Sequence, residues 1–144
     1  MSVFDEQPPI INVSSFSKWL KENYSFFKLK DINLSRLNSE RDINLLIKEK
    51  GAKKYVVKIS NPKESIVQLE YQDLLIKHLR LNRQLKKIYP EILHNKILFY
   101  KDSNQRRCAV RILTYIDGDM YAKSKNTDHT EKSLGKLLAL QSKQ

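Results

Sequence analysis

A chain of 144 residues, 40% hydrophobic and 30% charged, is long enough to bury a real core and has the make-up of one folded domain. No apolar run approaches the ~20 residues a membrane helix needs, and the single cysteine, Cys108, excludes an internal disulfide. With 27 Lys and Arg against 16 Asp and Glu, the net charge of +11 favours anionic partners: nucleic acid, a phosphorylated cofactor or an anionic membrane surface.

The opening "MSVFDEQPPIINV" has neither the basic start nor the apolar stretch of a signal peptide, so a cytoplasmic location is expected. Pro8 and Pro9 give residues 1–12 the character of an extended, flexible start. The stretch "SSFSKWLKENY" predicts a short amphipathic helix, capped by Ser14 or Ser15, with Phe16, Trp19 and Leu20 on one face. Three strands are expected in quick succession, over 31–37, 43–49 and 53–60, with "KGAK" as a tight turn between the last two. Asn61 and Pro62 end the third strand. Residues 62–89 then read as a long helix closed by Pro90, its buried face made of Val67, Tyr71, Leu74 and Leu75. Two further strands, 95–101 and 107–116, are joined by the turn "DSNQ". "DGDMYAKSKNTD" reads as a loop, and Asp128 can cap a last helix whose Leu134, Leu137 and Leu138 share an apolar face. That face needs a surface to cover, and the helix runs to Gln144 without a glycine cap; the expectation is a chain that once continued. The order of elements predicts an α+β fold: a five-stranded antiparallel sheet, a long helix packed on it, and flanking N- and C-terminal helices.

One residue in the third strand raises a question of charge. In "KKYVVKIS", Lys58 stands among Tyr55, Val56, Val57 and Ile59. Alternation alone can turn it to water. The other solution is a carboxylate partner. Glu70, three residues after Val67 and four before Leu74, falls on or beside the face expected to pack on the sheet, where a lone ion costs several kcal/mol. A Lys58–Glu70 ion pair would satisfy both, and a strand lysine held by a helix glutamate is how kinase-like folds aim an ammonium at nucleotide phosphates.

Four stretches in this order, "LNSERDINLLI", "YVVKISNPKE", "LEYQDLLIKHL" and "VRILTYIDGDMYAK", carry a resemblance that covers roughly residues 30–142. The chain resembles the N-terminal lobe of the aminoglycoside phosphotransferase and choline kinase superfamily. It is most similar to hydroxylysine kinase-like proteins, including the phosphotransferase domains fused to class-III aminotransferases. The resemblance implies a kinase-like N-lobe over 13–116, with 117–144 as a linker and first helix toward a catalytic C-lobe. It implies that Asn38, Ser39 and Glu40 form the tip of a turn over the nucleotide phosphates. Lys58 would contact the α/β-phosphates and Glu70 would orient it, while backbone groups of Thr114 and Ile116 would bond the nucleobase edge. The implied cofactor of the complete enzyme is ATP or GTP with Mg²⁺. The implied acceptor is a hydroxyl of a small amine or amino acid, met through a missing or separate C-lobe.

Two departures stand out: the 38–42 turn holds no glycine, and Asp117 occupies the place where many relatives have proline before Gly118. The superfamily's H-x-D-x-x-x-x-N segment does not occur, since His78, His94 and His129 are followed by "LR", "NK" and "TE". No catalytic or metal-binding residue is therefore assigned in this chain, and residues 1–144 alone are expected to show no kinase activity. Two other readings stay open. Lys77, Arg80, Arg83, Lys86, Lys87, Lys96 and Lys101 face only Glu91, a basic run that suits either a solvated helix face or a small nucleic-acid binder. Tyr89, Phe99 and Tyr100 do not form the stacking stripe of an RNA module, so nucleic acid is not the expected partner. A degenerate lobe acting as an interaction module through its C-terminal leucine face is the third. Scattered histidines make no zinc site, and neither G-x-x-x-x-G-K-[ST] nor G-x-S-x-G occurs.

Overall fold

The computed structural model describes residues 5–51, 53–118 and 128–143. Alternating apolar positions build five strands: β1 Ile32–Leu37, β2 Ile43–Glu49, β3 Lys54–Ile59, β4 Leu98–Lys101 and β5 Arg107–Thr114. They form one antiparallel sheet in the order β1-β2-β3-β5-β4. Among the described residues three α-helices accompany it: α1 Val13–Asn23, α2 Ile66–Leu79 and α3 Asp128–Ser142. The α+β class and the five-stranded antiparallel sheet are thus as the sequence led one to expect.

The core lies on one sheet face. Leu45, Val57 and Ile112 stand in register across β2, β3 and β5, with Ile43, Ile47, Tyr55, Ile59, Cys108 and Val110 around them. Ile11, Phe16, Leu20 and Phe27 close over this face from α1 and its flanks. Trp19 stacks on Phe16 and meets Tyr100 and Tyr24 edge-on, extending the core into an aromatic cluster. The opposite face carries Asn44, Leu46, Val56, Lys58 and Arg111, and α2 stands against it.

Turn chemistry explains the tight connections. Gly51 adopts φ 108, a conformation that L side chains rarely take, and Glu49 N–H closes the "KGAK" turn on the Lys53 carbonyl at 2.9 Å. In "DSNQ", one Asp102 oxygen accepts the N–H groups of Asn104 and Arg106, both at 2.9 Å, and Gln105 takes φ 61. Residues 6–11, within the stretch expected to be flexible, are tied to distant parts of the chain. Ile10 N–H donates to Asp102, Arg106 bonds Glu6 and the Gln7 and Pro8 carbonyls, and the Asn61 amide reaches the Glu6 carbonyl.

Several local expectations need correction. The cap of α1 is Asn12, whose side chain accepts from Ser15 N–H; Ser14 and Ser15 lie inside the helix. The long helix stops at Leu79, not at residue 89. Beyond it, Asn82 Oδ1 accepts from Gln84 and Leu85 N–H, a local turn that competes with helix, and Leu85–Lys87 form a short 3₁₀ helix. The largest correction concerns which side of α2 is buried. Val67, Tyr71, Leu74 and Leu75 are all exposed, while Leu69, Asp73 and Leu79 face inward. In α3, Leu137 and Leu140 are half-buried beside Gln84 and Ile88, whereas Leu134 and Leu138 are exposed. The Gln141 amide donates to the Tyr89 hydroxyl. Between Gly118 and Asp128 the loop expected over 117–128 lies outside the described residues; Asp128 is the first residue of α3, and the expected cap by its side chain also lies outside them.

Candidate functional site

Lys58 sits at the centre of the sheet face that α2 approaches. In register, its neighbours are Asn44 on β2 and Arg111 on β5, and Ser60 follows two residues on. Like charges directly opposite one another destabilise a sheet, so Lys58 beside Arg111 calls for a counter-charge. Asp73 of α2 supplies it, but to Arg111: Oδ1 accepts from the guanidinium at 3.0 Å, and Gln72 Oε1 accepts a second N–H at 3.1 Å. The other Asp73 oxygen accepts from His94 Nε2 at 2.7 Å. Ile112 N–H donates to His94 Nδ1 at 3.0 Å, which leaves that nitrogen bare and puts the ring hydrogen on Nε2, aimed at Asp73. Asp73, His94 and Arg111 are all buried, so a helix, a loop and a strand are joined by one enclosed polar cluster.

Around Lys58 the polar atoms are incompletely used. Asn44 Oδ1, Ser60 Oγ and Arg111 Nε are buried and have no hydrogen-bond partner among the described residues. Buried polar atoms are nearly always satisfied, so three orphans beside one lysine are notable. Two of them, Asn44 Oδ1 and Ser60 Oγ, are acceptors that an ammonium can fill.

The other expected site residues are placed as follows. Glu70 is exposed and makes no salt bridge with Lys58. The reason is helical phase: Asp73, three residues on, is the carboxylate that faces the sheet, and it engages Arg111 and His94. Asn38, Ser39 and Glu40 are exposed on the β1–β2 turn, lining an open cavity of about 410 Å³ with Arg36, Leu37 and Ile43. The Ser39 hydroxyl donates to the Asp42 carbonyl at 2.6 Å, and the Asp42 carboxylate accepts Asn61 N–H at 2.9 Å, so the base of the turn is fastened to the end of β3. Thr114 N–H donates to the Glu91 carbonyl at 3.0 Å, and its hydroxyl accepts Glu91 N–H at 2.9 Å. That backbone donor is therefore already engaged, while Ile116 is exposed. Asp117 pairs with Lys54 at 2.8 Å, which ties the segment after β5 back to β3. The hydrogen bond to Asp117 also holds the Lys54 ammonium above the usual lysine value.

Sequence reasoning missed Asn44, Ser60, Asp73, His94 and Arg111. The signal for Arg111 was present: a lone cation in the run "CAVRIL" poses the same question as Lys58 in "YVVKIS". Among the described residues, no group of three or more His, Cys, Asp or Glu side chains could hold a metal ion, and no helix is long and apolar enough to cross a membrane. Compared with known proteins, the chain matches no family model, no curated protein and no solved structure.

Proposed function

We propose that this chain is the nucleotide-binding N-lobe of a small-molecule kinase of the aminoglycoside phosphotransferase type, with Lys58 as its phosphate-binding cation. The supporting observation is the setting of Lys58: third strand, central on its sheet face, beside Arg111 and three unfilled buried polar atoms. A lysine on the third strand, followed by a helix that meets the same sheet face, is the arrangement by which kinases hold α/β-phosphates. The donor set suits an anion. Lys58 is not matched by Glu70, and the Nε–H of neighbouring Arg111 is a buried donor without a partner among the described residues. ATP or GTP would bring the transferable phosphoryl group. This chain's residues would hold and orient the phosphates, and no side chain here is assigned to deprotonate an acceptor hydroxyl or to carry Mg²⁺.

The test is calorimetric titration of Mg·ATP and Mg·GTP into the chain and into Lys58→Met, which keeps the apolar stem and removes the charge. A hydrogen bond to a charged group contributes about 1.5–3 kcal/mol, so affinity should fall roughly 10- to 100-fold. Equal binding by both proteins, or no binding of either nucleotide at millimolar concentration, would refute the proposal. Steeply salt-dependent binding of RNA or DNA that nucleotide does not compete would replace it with the nucleic-acid reading.

A further inference from the structure

Helix α2 is apolar on two opposite sides. Leu69, Asp73 and Leu79 face inward, yet Val67, Tyr71, Leu74 and Leu75 are 68%, 73%, 61% and 55% exposed. The helical period places these four on the side of α2 away from Asp73. Leu81, just past the C-cap Arg80 and 82% exposed, prolongs the stripe. A contiguous exposed apolar patch marks an interaction surface.

The charges beside the stripe say what covers it. Glu70 and Lys77 are both exposed, lie on one flank of the stripe, and enter no salt bridge among the described residues. We infer that the outer stripe of α2 is a self-association surface on which two copies of this chain pack their α2 helices antiparallel about a two-fold axis. Such an axis sets each flank against the same flank of the other copy with its direction reversed. Glu70 of one copy then meets Lys77 of the other, and the pairing occurs twice. The midpoints of Glu70/Lys77, Leu74/Leu75 and Val67/Leu81 coincide to within one residue, so a single axis beside Leu74 pairs charge with charge and apolar with apolar. Tyr71 lies within the contact. A surface built for an unrelated partner has no need of this internal symmetry. The inference does not depend on nucleotide binding.

The contact spans a 14-residue helix, about 21 Å long. It is small beside the interfaces of stable complexes, so the dimer should be of micromolar strength. Each copy also carries +11, so it should form better near 0.15 M salt than at low ionic strength.

The experiment is sedimentation equilibrium of the full chain from about 1 to 300 µM, with far-ultraviolet circular dichroism to check that each variant stays folded. Glu70→Lys alone and Lys77→Glu alone should each weaken dimerisation at least 10-fold, because they set like charges opposite each other at both ends of the contact. The double variant Glu70→Lys/Lys77→Glu restores opposite pairs and should return to within about 3-fold of the parent. Leu74→Glu should be monomeric throughout. A parent chain that stays monomeric over the whole range would overturn the inference and leave the stripe to a different partner. Association indifferent to the single charge changes, or not rescued by the double change, would overturn it equally.

Discussion

Replacing Asp73 with alanine should be the most damaging single change in this domain. Asp73 is 6% exposed and Arg111 4% exposed, so the substitution leaves a guanidinium buried with Nε already unpartnered and Nη1 newly so. It also removes the acceptor for His94 Nε2. Breaking a buried ion pair from one side costs about 3–5 kcal/mol. Against the ~5–15 kcal/mol total stability usual for a domain, that is a large share, and the melting temperature should fall by roughly 6–20 °C. Trp19, the only tryptophan, sits in the aromatic cluster on the opposite sheet face and reports global unfolding in urea without touching the cluster under test. The decisive comparison is the double variant Asp73→Ala/Arg111→Ala. Removing both charges should cost less than the sum of the single changes by at least about 1–2 kcal/mol. If Asp73→Ala lies within about 1 kcal/mol of the parent, or the two changes simply add, the polar cluster does not join α2 to the sheet.

Two smaller predictions follow from the β4–β5 turn and the segment bound to it. Burial pushes the Asp102 carboxyl up, but the Arg106 side chain and the N–H groups of Ile10 and Arg106 outweigh it, so it titrates below the ordinary aspartate value. A carboxyl depressed on folding contributes stability above its unfolded value, about 4, and loses that contribution as pH falls through the folded value. Urea midpoints of Asp102→Asn between pH 2 and 6 should therefore fall less steeply with acid than those of the parent; an unchanged slope would contradict this. Gln105, at φ 61, bears a strain that glycine lacks. Gln105→Gly should gain about 0.5–1 kcal/mol and Gln105→Val should lose more than about 1 kcal/mol in the same urea assay, and a valine variant as stable as the parent would refute the assignment.

Much of the architecture was legible because period-2 alternation is a local signal. The 43–49 segment matches β2 to the residue, and the neighbouring strand β3 differs from expectation by one residue at each end. Helix α2 shows where periodicity stops being informative. Its residues place apolar groups on two opposite sides, and a helical repeat cannot say which side meets the sheet. The side with more apolar residues reads as the buried one, whereas the buried side contains an aspartate that only a distant arginine makes tolerable. A lone cation in an apolar strand does mark a need for a carboxylate. The sequence points to Lys58 for that need, and the structure meets it at Arg111. His94 was not legible, because its role depends on the Ile112 backbone across the fold.

The fastening of residues 6–11 sets an order on synthesis. The contacts of Glu6 and Ile10 are made to Arg106 and Asp102, 100 and 92 residues further along the chain. Phe16 and Leu20 likewise belong to a core whose third wall is β5, with Cys108, Val110 and Ile112. At ordinary rates of translation, roughly 5–20 residues per second, the segment of residues 6–11 waits on the order of 5–20 seconds for its partners. During that wait its apolar side chains have nowhere native to go. The β2–β3 hairpin can form early, but the domain closes only when the last strand of the sheet has emerged, so the two ends of this fold are completed together.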